Sequence, residues 1–200
     1  MKYLALLTLL FVQSGFLATA QQVKLETEVG PIVIELYPDK APGTVANFLR
    51  YVQDKRYDGA KFYRVVRVDN QANNPVKIEV IQGGLGTDST RMFPPIAQET
   101  TQQTGLKHLD GTLSMARGLP ASGRSEFFIC INTQPELDFG GKRNPDGQGF
   151  AAFGKVVSGM AVVRKIQAGK TGQPGPTTAY ANPGQLLRQP VLIRSVRQIP

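Results

Sequence analysis

Two short apolar runs, Thr112–Met115 and Phe127–Ile131, are separated by the arm Ala116–Glu126, which carries Gly118, Pro120 and Gly123. Both runs have strand length, and the arm between them is too long and too Gly/Pro-marked for a tight hairpin. This pairing constrains the fold more than any other stretch. Strand ends bearing Phe127-Phe128, flanked by Ala116, Arg117 and Glu126, suit the gripping of an extended peptide.

The rest of the chain repeats the pattern of short strands. Val23–Glu28 and Pro31–Tyr37 alternate apolar and polar residues around Val29-Gly30. Lys61–Val66, Val76–Gln82, Phe150–Val156 and Pro190–Arg197 are further strand candidates. Helical spacing occurs twice: over Thr44–Asp54, with Thr44 as N-cap, and after Ser158, where Met160, Val163 and Ile166 share a face. Leu85–Lys107, Asp138–Gln148 and Ala168–Gln189 are predicted to be irregular. Two short helices among about eight strands predict a mainly β fold, a closed antiparallel barrel capped by the helices.

The 200 residues make one domain, residues 21–200, behind a leader. Lys2, the apolar run Tyr3–Val12 and Ala18-Thr19-Ala20 have the form of an export signal over residues 1–20. That run is too short to span a bilayer, so no stable membrane insertion is expected once the signal is removed. The chain is therefore expected in the periplasm or secreted, as a monomer. A net charge of +8 is spread rather than clustered and lacks any nucleic-acid motif, which argues against a nucleic-acid partner.

Cys130 is the only cysteine and His108 the only histidine. One of each makes no zinc site at the usual spacings, and no G-x-S-x-G elbow accompanies His108 for a Ser-His-Asp triad. His108 is expected at the surface and Cys130 as a buried, inert thiol. Gly83-Gly84-Leu85-Gly86 lacks the Lys-Ser/Thr of a phosphate loop. Among Asp69, Glu79, Glu126 and Asp138, no spacing singles out a glycosidase pair. The expected chemistry uses no metal, cofactor or nucleophile.

Phe62-Tyr63-Arg64, Ile81-Gln82-Gly83-Gly84, Gly111–Ala116, Ser125–Ile129 and Phe153–Val156 together resemble, in order and approximate spacing, the cyclophilin-type peptidyl-prolyl cis-trans isomerases. The resemblance covers nearly all of residues 21–200. It implies an eight-stranded barrel with the substrate groove on its outer face, and rotation about X–Pro bonds in proline-containing polypeptides, here to assist folding of exported proteins. It implies Arg64 as the catalytic group and Gln82 as a hydrogen-bond partner of the substrate backbone. Ala116 and Arg117 fall where family backbone pairs with the peptide. Phe128 matches the floor of the proline pocket and Leu137 a pocket leucine. Phe150 falls where members carry His or Tyr, and Val80 where methionine is usual.

Three positions depart from the pattern. The pocket phenylalanine has no equivalent, because the Arg67–Lys77 insertion ends in Ile78-Glu79. Glu136 replaces a tryptophan, which predicts poor binding of cyclosporin-type drugs. Glu126 replaces a glutamine and is expected among the substrate-binding residues, the plainer reading being a surface pair with Arg124 or Arg117. The alternative is a proline-binding chaperone module with little catalysis, motivated by Glu79 and the missing phenylalanine.

Overall fold

The computed structural model describes residues 21–72, 74–172 and 182–200. The expected export signal and part of the expected Ala168–Gln189 loop lie outside them. β1 (Gln21–Thr27) and β2 (Gly30–Leu36) form a hairpin with Val23 opposite Ile34 and Leu25 opposite Ile32, all buried. The strand period of two puts these residues on one face.

Helix α1 (Pro42–Gln53), β3 (Lys61–Val66) and β4 (Val80–Gly84) follow. The one-turn helix α2 (Thr101–Thr104) precedes β5 (Thr112–Met115) and β6 (Phe127–Cys130). The chain ends in β7 (Ala151–Ser158), α3 (Met160–Gln167) and β8 (Leu186–Ile199). The strands close in the order β1-β2-β7-β5-β6-β4-β3-β8, and every pairing is antiparallel. The predicted eight-stranded barrel is the fold observed.

Local details differ from the sequence reading. α2 lies in a stretch expected to be irregular; a capping box between Thr100 and Gln103 starts it and left-handed Gly105 ends it. β4 begins at Val80 rather than Val76, because the Gln71 side chain binds both the carbonyl and the N–H of Ile78 and takes that backbone out of the ladder. Thr44 is not the cap of α1. The helix starts at Pro42, and Glu99 accepts from the Gly43 N–H (3.0 Å), the Thr44 N–H (2.8 Å) and the Thr44 hydroxyl (2.6 Å). A carboxylate there satisfies orphan donors and the positive end of the helix dipole. Nor does Ser158 cap α3. Left-handed Gly159 does, where a Cβ would stand 2.5 Å from the Pro31 carbonyl oxygen.

Two apolar clusters result. The larger fills the barrel, where Phe48 of α1 packs on Phe127 and Phe153 with ring centroids 5.6 and 5.4 Å away. The smaller is separate, on the outer face: Val66, Ile78, Val80, Phe128, Cys130 and Leu137, with Ala116 and Phe150 against it. Phe127 and Phe128 thus face opposite sides of β6, as adjacent strand residues must.

Candidate active site

The site begins with a bulge. Phe62 pairs with Gly83 and Arg64 with Gln82, leaving Tyr63 as the extra residue of β3. A bulge re-aims side chains. Phe62 and Val65 stay in the barrel core while Tyr63 and Arg64 both line a cleft on the outer face.

Arg64 is held from two sides. Its Nη1 donates to Gln82 Oε1 (2.7 Å), and its Nε and Nη2 donate to Gln185 Oε1 (3.1 and 2.7 Å). Gln185 in turn donates to the Asn70 carbonyl (3.2 Å). Gln82 Nε2 donates to the Tyr63 hydroxyl (2.9 Å), which donates to the Glu126 carboxylate. Glu126 also accepts from the Gly86 N–H (2.9 Å). Gly84 (φ +143°) makes room for this carboxylate, since a Cβ there would collide with it.

Burial lowers the Arg64 pKa to about 10; Tyr63 raises it and the nearby Arg143 charge lowers it. The guanidinium is still charged at neutral pH. Burial raises Glu126 above the usual carboxyl range, and burial with the adjacent Glu126 charge raises Tyr63. The predicted surface pairing of Glu126 with Arg124 or Arg117 does not occur. β3, β4 and β6 are neighbours in the barrel, and their register carries Glu126 to Tyr63 instead.

Beside Arg64 lies an apolar pocket. Phe128 meets Phe150 edge-on at 5.2 Å, with Leu137 buried alongside. Val80 and Ile78 complete the lining. Ile78, at the end of the insertion that interrupts the sequence pattern, thus lines the cleft. Glu79 turns away, accepting from Asn132 Nδ2 (3.0 Å) and Gln167 Nε2 (3.3 Å).

Arg117 has its side chain buried. It donates to both oxygens of Asp146 (2.7 and 2.9 Å) and to the Gly149 carbonyl (2.8 Å), and lies 5.3 Å from the centre of the Phe150 ring. It braces the pocket wall. The Ala116 N–H is taken by the Glu126 carbonyl (2.8 Å).

His108 is not at the surface. It is buried beneath Phe128, stacked at 5.9 Å, with Nδ1 2.8 Å from Asp138 Oδ1 and Nε2 2.9 Å from Ser114 Oγ. Burial raises the Asp138 carboxyl, but the His108 bonds outweigh it and hold the group below its ordinary value. Cys130 is buried as expected, and burial pushes its thiol well up.

Arg64, Val80, Gln82, Ala116, Arg117, Glu126, Phe128, Leu137 and Phe150 all line this cleft of about 940 Å³. The sequence reading assigned nothing to Ile78, Gln185 or Arg143. Ile78 was noticed only as the end of an insertion. Gln185 and Arg143 sit in Gly/Pro-rich segments whose path no local pattern reveals.

A filled antiparallel barrel with a fixed cation beside an apolar pocket on its outer face defines a class that binds its ligands outside the barrel rather than storing them within it. The comparisons with known proteins narrow the class. Residues 22–196 match the family model "Cyclophilin type peptidyl-prolyl cis-trans isomerase/CLD". The chain is 38% identical over 157 residues to peptidyl-prolyl cis-trans isomerase B of Escherichia coli K12, covering 76% of this chain and 88% of that protein. It is 35% identical over 184 residues to isomerase A of Dickeya dadantii, covering 90% and 86%. A Cryptosporidium parvum cyclophilin structure superposes with a TM-score of 0.67 at 20% identity, over 91% of this chain and 99% of that one. The chain belongs to the cyclophilin-type peptidyl-prolyl cis-trans isomerases.

Proposed function

We propose that this isomerase is exported, and that it accelerates X–Pro rotation in other exported polypeptides with Arg64 as its catalytic group. The observation that carries the reading is the Arg64 guanidinium, pinned by Gln82 and Gln185 beside the Phe128–Leu137–Phe150 pocket. A related Cryptosporidium parvum isomerase was crystallised in the presence of the dipeptide Ala-Pro, which supports a proline in this pocket.

The barrier to peptide rotation is ~18–20 kcal/mol because resonance stiffens the C–N bond. X–Pro bonds populate both isomers and exchange over roughly tens to hundreds of seconds, slow enough to limit folding. Catalysis requires tighter binding of the twisted amide than of either planar form. In the twisted state the prolyl nitrogen regains a lone pair, to which a guanidinium can donate. Phe128, Leu137 and Phe150 hold the proline ring, Gln82 binds substrate backbone, and the lip at Ala116-Arg117 pairs with the extended peptide while the acyl side turns.

Lys2, the run Tyr3–Val12 and Ala18-Thr19-Ala20 support export to the periplasm or beyond. NMR exchange on an Ala-Pro peptide tests the reading. The mature chain should accelerate exchange, and Arg64→Ala should cost roughly 100- to 1,000-fold in rate while the protein still melts cooperatively. A fully active Arg64→Ala would remove Arg64 from the mechanism.

A further inference from the structure

The cleft contains a second arginine that the rotation chemistry does not use. Arg143 lines it together with Arg64, Ile78 and Asn144. Nη1 of Arg143 donates to Gln71 Oε1 (2.8 Å) and to the Val76 carbonyl (2.6 Å), which fixes the guanidinium plane. Every acidic side chain of the sequence lies among the described residues, and none forms an ion pair with Arg64 or Arg143.

Of the other charges of the cleft, Lys61 and Arg124 are exposed and form no ion pair, and the rest are engaged elsewhere. Arg117 is paired with Asp146, Asp88 lies 4.0 Å from Arg91, and Glu126 is tied to Tyr63. Beside Arg143, the Asn144 Nδ2 is buried without a hydrogen-bond partner among the described residues. An unmatched buried donor is costly and awaits an acceptor. Two partly buried guanidinium groups without an ion pair, and an orphan amide in the same cleft, are complementary to a carboxylate.

We infer that Arg143 and Asn144 form a carboxylate subsite, giving the enzyme a preference for substrates with Asp or Glu next to the proline. The inference rests on the isomerase reading. The loop over 138–150 is tied to Arg117 through Asp146 and Gly149 and, through Arg143, to Gln71 and Val76. These bonds hold the Arg143 guanidinium at the cleft that Phe128, Leu137 and Phe150 also line.

End-blocked peptides Ala-X-Pro-Ala-Ala and Ala-Ala-Pro-X-Ala, with X as Asp, Asn or Lys, followed by NMR exchange, test this and read which side of the proline the subsite serves. At low salt the Asp peptide of one series should exceed its Asn peptide roughly fivefold in kcat/KM, the scale of a partly exposed ion pair. The ratio should fall toward unity in Arg143→Gln and as salt screens the charges. Arg143→Glu should favour the Lys peptide. Asn144→Leu, which keeps the Arg143 bonds to Gln71 and Val76, should lower the ratio part-way. A wild-type ratio of one in both series, or a ratio unchanged in Arg143→Gln, overturns the subsite while turnover of the Asn peptides leaves the isomerase reading standing. Turnover of no peptide overturns that reading and the subsite with it.

Discussion

Glu126 is a carboxyl group with little water around it, and its pH behaviour follows from that. Burial raises its pKa above 4.5, and the bonds from Tyr63, Gly86 and Ser125 offset this only in part. The folded state therefore holds a proton more tightly than the unfolded chain. The stability this contributes is fully present below the unfolded value and is lost as pH climbs through the raised folded value. Urea melts across that window should show a decline in wild type that Glu126→Gln flattens; equal slopes would mean the carboxyl titrates normally. In the sequence Glu126 stands two residues from Arg124, so a surface pair was the economical reading. Tyr63 lies far away along the chain, and only strand register brings the two together.

Among the elements, α1 shows how much a local pattern can carry. Val45, Phe48, Leu49 and Val52 were legible as its buried face, and Pro42 suits a first helical turn. Its cap was not legible, since Glu99 sits 55 residues from Thr44. Glu99→Ala should destabilise the protein by about 1 kcal/mol, measured as a shift in the denaturant midpoint at constant slope. No shift would assign the dipole to solvent. The β3 bulge is the opposite case. Phe62-Tyr63-Arg64 reads as plain alternation, which would send Arg64 to the same side as Phe62. The extra residue turns Arg64 outward, and nothing in the six residues of β3 announces it.

At the scale of the molecule there are two apolar clusters, and on the proposed function the inner one serves stability and the outer one binding. Phe127 is buried among Phe48, Tyr57 and Phe62 inside the barrel, whereas Phe128 belongs to the outer cluster at the cleft. Phe127→Ala should cost about 3–5 kcal/mol of stability, as for other large-to-small core changes. Phe128→Ala should cost clearly less stability but most of the exchange activity. Chemical melts paired with NMR exchange would check this; matching effects of the two variants on both readouts would break the division.

Alternation and turn residues were enough to specify the barrel, because a strand's period of two and its Gly/Pro limits are local properties of the chain. Arg64, Gln82 and Phe128 of the cleft came instead from the family resemblance of the spaced motifs. The partners of those residues were decided by closure. Ile78 lines the pocket, Gln185 pins Arg64, His108 goes beneath Phe128, and Glu126 goes to Tyr63. Each of these joins segments distant in sequence. Their geometry depends on a bulge, a register and two loop paths, which emerge only when the eight strands are hydrogen-bonded into one ring.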